Sequence, residues 1–150
     1  MSSDLSSGVT QIFSTGSAFA ALKSDGSVVT WGNSNNGGDS SSVSSDLSSG
    51  VTQIFSTGSA FAALKSDGSV VTWGYSNNGG DSSSVSSDLS SGVTQIFSTG
   101  AAFAALKSDG SVVTWGLSNY GADSSSVSSD LSSGVTQIFS TTAAFAAIIE

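Results

Sequence analysis

Residues 18–32 read AFAALKSDGSVVTWG, two short apolar runs on either side of Asp25-Gly26. Aspartate followed by glycine between apolar runs is the strongest short-range signal of a β-hairpin. It predicts a two-residue type I′ turn, with positive φ at both central positions, joining strands at 18–24 and 27–32. A further strand is expected just upstream. GVTQIFS at 8–14 is short, rich in β-branched and aromatic residues, and preceded by serines. Helix loses on these grounds, because the runs are too short and glycine recurs every few residues.

Side-chain alternation along these strands assigns their faces. Val9 and Phe13 fall on one face of the first strand and Ile12 on the other; Phe19 and Ala21 oppose Ala20 and Leu22; Val29 and Trp31 oppose Val28. Each small sheet is then apolar on both faces and has to be covered on both. Three strands cannot do that alone, whereas a stack of such sheets can.

The stack is written in the sequence. Asp4, Asp46, Asp88 and Asp130 recur at a fixed period of 42 residues. Copies run 2–43, 44–85 and 86–127, with a partial copy at 128–150, so residues 1–150 are expected to form a single repeat domain. The copies are nearly identical, the mark of recent duplication, of deliberate engineering or of excision from a longer array. Between the hairpin and the next copy, residues 33–50 form a polar connection whose apolar anchors are Val43 and Leu47.

Composition narrows the partners. The net charge is −8, and the only cations are Lys23, Lys65 and Lys107. Such a surface repels phosphate backbones and anionic lipid, so neither nucleic acid nor membrane is expected as a partner. Cysteine is absent, which excludes disulfides and thiolate chemistry and leaves the redox compartment open. No run reaches the length of a membrane span, and MSSDLSSGVT lacks the basic and apolar regions of a signal peptide. A soluble unit is expected, with its cellular location left open.

Catalytic chemistry finds little to work with. Histidine and arginine are both absent, so hydrolytic triads, imidazole metal sites and guanidinium clamps are excluded. Lys23 adjoins Ser24, but neighbours on a strand point to opposite faces. The expectation is no enzyme, no catalytic residue and no cofactor. NSNNGGDSSS at 33–42 is faintly like a calcium loop, yet one aspartate per copy falls short of a six- to eight-oxygen cage. A turn built on Asn-Gly is the simpler reading, and no metal is expected. Trp31, Trp73 and Trp115, with Phe13, Phe19 and their copies, sit in alternating strands and are expected to pack between sheets rather than form a carbohydrate platform.

The repeat resembles the blades of the regulator of chromosome condensation family of β-propellers. Those blades combine a V-x-x-I strand, an A-L-x-x-D-G hairpin, a V-x-x-W-G strand and an N-x-x-G turn. Here these stand as Val9 to Ile12, Ala21-Leu22-Lys23-Ser24-Asp25-Gly26, Val28 to Trp31-Gly32, and Asn33 to Asn36-Gly37. Similar short repeats occur in very long bacterial surface proteins, which implies an extracellular or cell-surface parent, and in a propeller-type inhibitor of β-lactamase. Two departures stand out: SAF at 17–19 replaces a common histidine, and GDS at 38–40 replaces Gln-Leu-Gly. The family's exchange-factor and chromatin-docking activities depend on particular loops and arms, and no residue here matches one that carries them. The resemblance implies an all-β fold of small antiparallel sheets of propeller-blade type, and no particular activity. Family rings close at about seven blades. Three copies and a part therefore imply either several chains sharing one ring or an open, β-solenoid-like stack.

The copies differ in one direction. Asn33 becomes Tyr75 and then Leu117; Asn36 and Asn78 become Tyr120; Ser17 and Ser59 become Ala101 and Ala143; Leu106-Lys107 becomes Ile148-Ile149. Polar residues turn apolar toward the C-terminus, which points to an interface there formed by Leu117, Tyr120, Ile148 and Ile149. The function expected is a structural, self-assembling scaffold that pairs with itself, first as a dimer, since two-fold closure is commonest. The alternative is a binding module that recognises a protein or glycan through the loops at 33–42, 75–84 and 117–126, with Asn33, Tyr75 and Tyr120 as ligand residues.

Overall fold

The structure, a computed structural model, describes residues 4–150; residues 2 and 3, which open the first copy, lie outside the described residues. Among the described residues eleven strands follow one another: β1 (Val9–Ser14), β2 (Ala18–Lys23), β3 (Val28–Gly32), β4 (Val51–Ser56), β5 (Ala60–Lys65), β6 (Val70–Gly74), β7 (Val93–Ser98), β8 (Ala102–Lys107), β9 (Val112–Gly116), β10 (Val135–Ser140) and β11 (Phe145–Ile149). They form three antiparallel sheets in the orders β1-β2-β3, β4-β5-β6 and β7-β8-β9, and a fourth of β10-β11 alone. The described residues contain no α-helix. The fold is all-β and repeats with the sequence.

The face assignment of the first strand needs correction. Val9 pairs with Lys23 and Gln11 with Leu22, so a β-bulge at Thr10 places two residues opposite one. The extra residue restores Val9 to the same face as Ile12, not that of Phe13. Thr10 Oγ1 donates to Leu22 O at 3.1 Å, and the same bulge recurs in every copy. Simple alternation missed it because a bulge leaves no mark in the period.

The turn differs as well. Asp25 does not adopt positive φ, while Gly26 has φ 77°. Gly26 N–H donates to Lys23 O and Lys23 N–H to Ser27 O, both at 2.9 Å, which makes a three-residue loop closed by a left-handed glycine. Asp25 is freed to accept from Ser27 N–H at 2.9 Å and Ser27 Oγ–H at 2.6 Å.

Each sheet now has two distinct faces. The leading face, turned toward the preceding copy, carries the Val51, Ile54, Phe61, Ala63 and Trp73 set. The trailing face carries the Ala18, Ala20 and Leu22 set. The core between sheets one and two joins those two sets with Leu47, and the next core repeats it one copy on. Leu47 O accepts from Val28 N–H at 2.9 Å, so the polar connection is pinned to β3 at its buried leucine. Phe61 and Trp73 stack at 5.2 Å, and the Trp73 indole N–H donates to Gly37 O of the copy before at 3.1 Å. Trp73 and Trp115 therefore belong to the joints between sheets, whereas Trp31, with Phe19, lies on the first sheet's leading face and packs against no earlier sheet among the described residues.

Candidate interaction surfaces

Because every joint sets a trailing face against a leading face, one face of each kind is left at the ends. At the head, Ile12 is 59% and Phe19 44% exposed, whereas their counterparts Ile54 and Phe61 are 3% and 0% exposed. At the tail, Phe139 is 55% and Ile148 45% exposed, whereas Leu22, Leu64 and Leu106, which hold the Ile148 position internally, are buried. Identical residues thus change role with position in the stack.

Backbone polarity follows the same rule. Gly16 N–H donates to Gly58 O at 2.9 Å, Gly58 N–H to Gly100 O at 2.9 Å, and Gly100 N–H to Thr142 O at 2.7 Å. The ladder runs one way, so it starts from a carbonyl at Gly16 that accepts nothing and finishes at a Thr142 N–H that donates to nothing among the described residues. The approach along it is close: a Cβ at Gly58 would lie 3.3 Å from Gly100 O, so the neighbouring carbonyl would have to shift by a few tenths of an ångström. Thr142 stands at the tail, with no sheet after it among the described residues.

The residues singled out from the sequence do not form one cluster. Ile148 and Ile149 are adjacent on β11 and point to opposite faces; Ile149 pairs with Val135, whose side chain is in the core against sheet three. Tyr120 lies near the other end of that hairpin, its Cε1 3.4 Å from where a Cβ on Gly100 would be. In the first copy Asn36 Nδ2 donates to Ser17 Oγ at 2.6 Å; the third copy holds Tyr120 and a buried Ala101 instead. Those two substitutions remove the hydrogen-bonded pair and leave the Tyr120 ring beside Gly100. Leu117 is half-buried at the entry to the 3-10 turn Ser118–Tyr120. Asn33 caps the equivalent turn Ser34–Asn36, its Oδ1 accepting from Asn35 N–H at 3.0 Å. Tyr75 makes no such cap and is exposed. Ile12, Phe19, Phe139 and Thr142 were missed by sequence reasoning, although a first copy with no predecessor and a last copy with no successor among these residues are themselves the signal.

A groove of about 390 Å³ opens beside β11. Its walls include Val112 and Thr114 of β9, Gly121, Val127 and Leu131 of the third connection, and Phe145 and Ile149 of β11. The last connection differs from the earlier ones there. Leu131 is half-buried within a 3-10 turn, Asp130–Ser132, whereas Leu47 and Leu89 are buried.

The acidic side chains are largely committed to turns. Hydrogen bonds from Ser27, first through its hydroxyl and then its N–H, hold the Asp25 carboxyl below its ordinary range, helped by Lys23; Asp67 and Asp109 repeat this with Ser69 and Ser111. Asp39 and Asp81 are lowered chiefly by the backbone N–H groups of Ser41 and Ser83, and Asp123 by the Ser125 hydroxyl. Lys65 Nζ donates to Asp46 O at 2.8 Å, a backbone rather than a carboxylate.

No family model matches the chain, and no curated protein sequence matches it significantly. Solved structures do. Human WBSCR16 is similar at 25% identity and a TM-score of 0.50, over 72% of this chain and 34% of that one. Yeast RCC1 (Prp20), solved bound to Kap60, is similar at 17% identity and a TM-score of 0.51, over 76% of this chain and 31% of that one. A second Saccharomyces cerevisiae Prp20p structure, described together with its binding to Gsp1p and histones, is similar at 18% identity and a TM-score of 0.51, over 76% and 32%. The matched part spans about a third of those proteins. The repeats have the fold of RCC1-like β-propeller blades.

Proposed function

From that blade fold we propose that the chain is a structural, self-assembling scaffold whose copies join head to tail into a homo-oligomeric propeller, first as a dimer. One observation carries the reading. The stack leaves uncovered two faces that are buried against each other at every internal joint, with Ile12 and Phe19 at one end and Phe139 and Ile148 at the other. Exposed apolar faces of this kind mark interaction sites. Such a contact is heterologous, so it either closes into a ring or continues as an array. Two chains supply six full sheets and two hairpins. The reading assigns no catalytic step, consistent with a chain that has no histidine or arginine.

Light scattering tests it. The wild type is expected at twice 14.7 kDa or above. Ile12→Lys and Ile148→Lys, at opposite ends, should each return it to the single-chain mass. A wild type at single-chain mass under concentrated conditions removes the proposal.

A second reading, recognition of a protein or glycan by the variable loops, has one favourable observation. Tyr75 is exposed, and the two residues after it, Ser76 and Asn77, line a polar depression together with Ser118. Binding on a glycan or protein array that disappears with Tyr75→Ala supports it; binding that persists does not.

A further inference from the structure

The geometry points to the groove beside β11 as a strand-addition site for a peptide partner: an extended chain carrying Ser-Val-Val-Thr-Trp-Gly, the sequence of the protein's own third strands. The molecule supplies three examples of how such a strand sits. In each full sheet it lies antiparallel to the second strand, with Trp31 opposite Phe19, Trp73 opposite Phe61 and Trp115 opposite Phe103. The facing rings stack at 5.2 to 5.4 Å. β11 has the same sequence origin as those second strands but pairs with β10 alone. Its other edge presents backbone donors and acceptors, the template that strand addition uses.

Side chains in the groove match the same occupant. Where two sheets meet, the indole of the later one donates to a glycine carbonyl of the earlier copy: Trp73 to Gly37 O and Trp115 to Gly79 O, both at 3.1 Å. Gly121 holds that position in the third copy, shares their left-handed φ at 102°, and lines the groove. Phe145, the counterpart of Phe61 and Phe103, is the ring on which an incoming tryptophan would stack, and it also lines the groove. Val127 is exposed, whereas its counterparts Val43 and Val85 pack against the cores that the third strands complete. A strand in the groove covers Val127, Leu131, Phe145 and Ile149 together. A helix would satisfy neither the β11 edge nor the Gly121 carbonyl in this way.

The test uses the whole protein and a fluorescein-labelled peptide, Ser-Asp-Gly-Ser-Val-Val-Thr-Trp-Gly, followed by anisotropy. Saturable binding at one peptide per chain is expected, with a rise in melting temperature. The same peptide with alanine in place of tryptophan should bind at least about tenfold more weakly, because ring stacking and the indole hydrogen bond are both lost. Phe145→Ala should weaken the parent peptide similarly, whereas Phe19→Ala, at the far end, should not. Should Phe145→Ala disturb the last hairpin in circular dichroism, Leu131→Lys replaces it as the groove variant. Equal binding of the two peptides, binding indifferent to the groove variants, or no binding overturns the site. None of these outcomes depends on whether chains associate, which the mass measurement decides separately.

Discussion

Ser27, Ser69 and Ser111 each donate from both backbone and side chain to one carboxylate oxygen two residues earlier, at 2.9 and 2.6 Å. The aspartates are exposed and the serines half-buried, and the pairs hold the turn that lets glycine close the hairpin. Their carboxyls titrate below the ordinary value of 3.8, so the folded state prefers them ionised. The associated stability is complete above that value and is lost as pH falls through the lower folded value. The triple variant Ser27→Ala, Ser69→Ala, Ser111→Ala should therefore melt below the wild type at pH 7. The gap should close as the solution is acidified past the carboxylate range. A gap of constant size from neutral to strongly acidic pH would show that the serines act through something other than these aspartates. The pairing of Asp-Gly with a hairpin was legible from the sequence. Its loop length was not, because the serine that stabilises Asp25 at negative φ lies outside the two-residue motif.

At the scale of the element, identical strands have unequal energetic weight. Phe19 and Phe61 sit in the same sequence, AFAALK, on the same face of β2 and β5. Phe61 is sealed against Ala20 and Leu22 of the previous sheet, whereas Phe19 has no sheet before it among the described residues. Truncating a buried phenylalanine costs about 3–5 kcal/mol, a transfer term plus a cavity term. Phe61→Ala should approach that range in urea denaturation, and Phe19→Ala should lose much less in the single chain. Equal losses would mean that the first sheet is covered in solution. The strands and their order were readable from β-branched runs and glycine punctuation. The bulge at Thr10 was not, since it is decided by the cross-strand register.

For the molecule as a whole, the ladder of Thr-Gly turns sets a direction that assembly has to respect. Gly16, Gly58 and Gly100 are followed at the same position by Thr142, which breaks the glycine rule only at the tail. If another chain's head repeats the internal joint there, the Thr142 Cβ meets the Gly16 carbonyl of that chain. The equivalent internal approach is 3.2 to 3.3 Å, close enough that the neighbour has to yield by a few tenths of an ångström. Thr142→Gly should consequently tighten association, seen as a shift of the light-scattering mass transition to lower protein concentration. An unchanged or weaker association would indicate that the tail meets its partner in a geometry unlike the internal joints.

What the sequence determined by itself was local and periodic. Short β-branched runs, Asp-Gly turns and a 42-residue period specify small sheets, and apolar residues on both faces require that the sheets be stacked. These properties depend on neighbours a few residues apart or on exact repetition, which one chain displays openly. Only the tertiary structure decided which copy of Phe19 or Ile12 is buried, that Ile148 and Ile149 serve different surfaces, and that the Tyr120 ring lies against Gly100. Near-identical copies carry no label of their place in the stack. Burial is set by what lies above and below a sheet, so the ends acquire their character from position, which strands of identical sequence do not reveal.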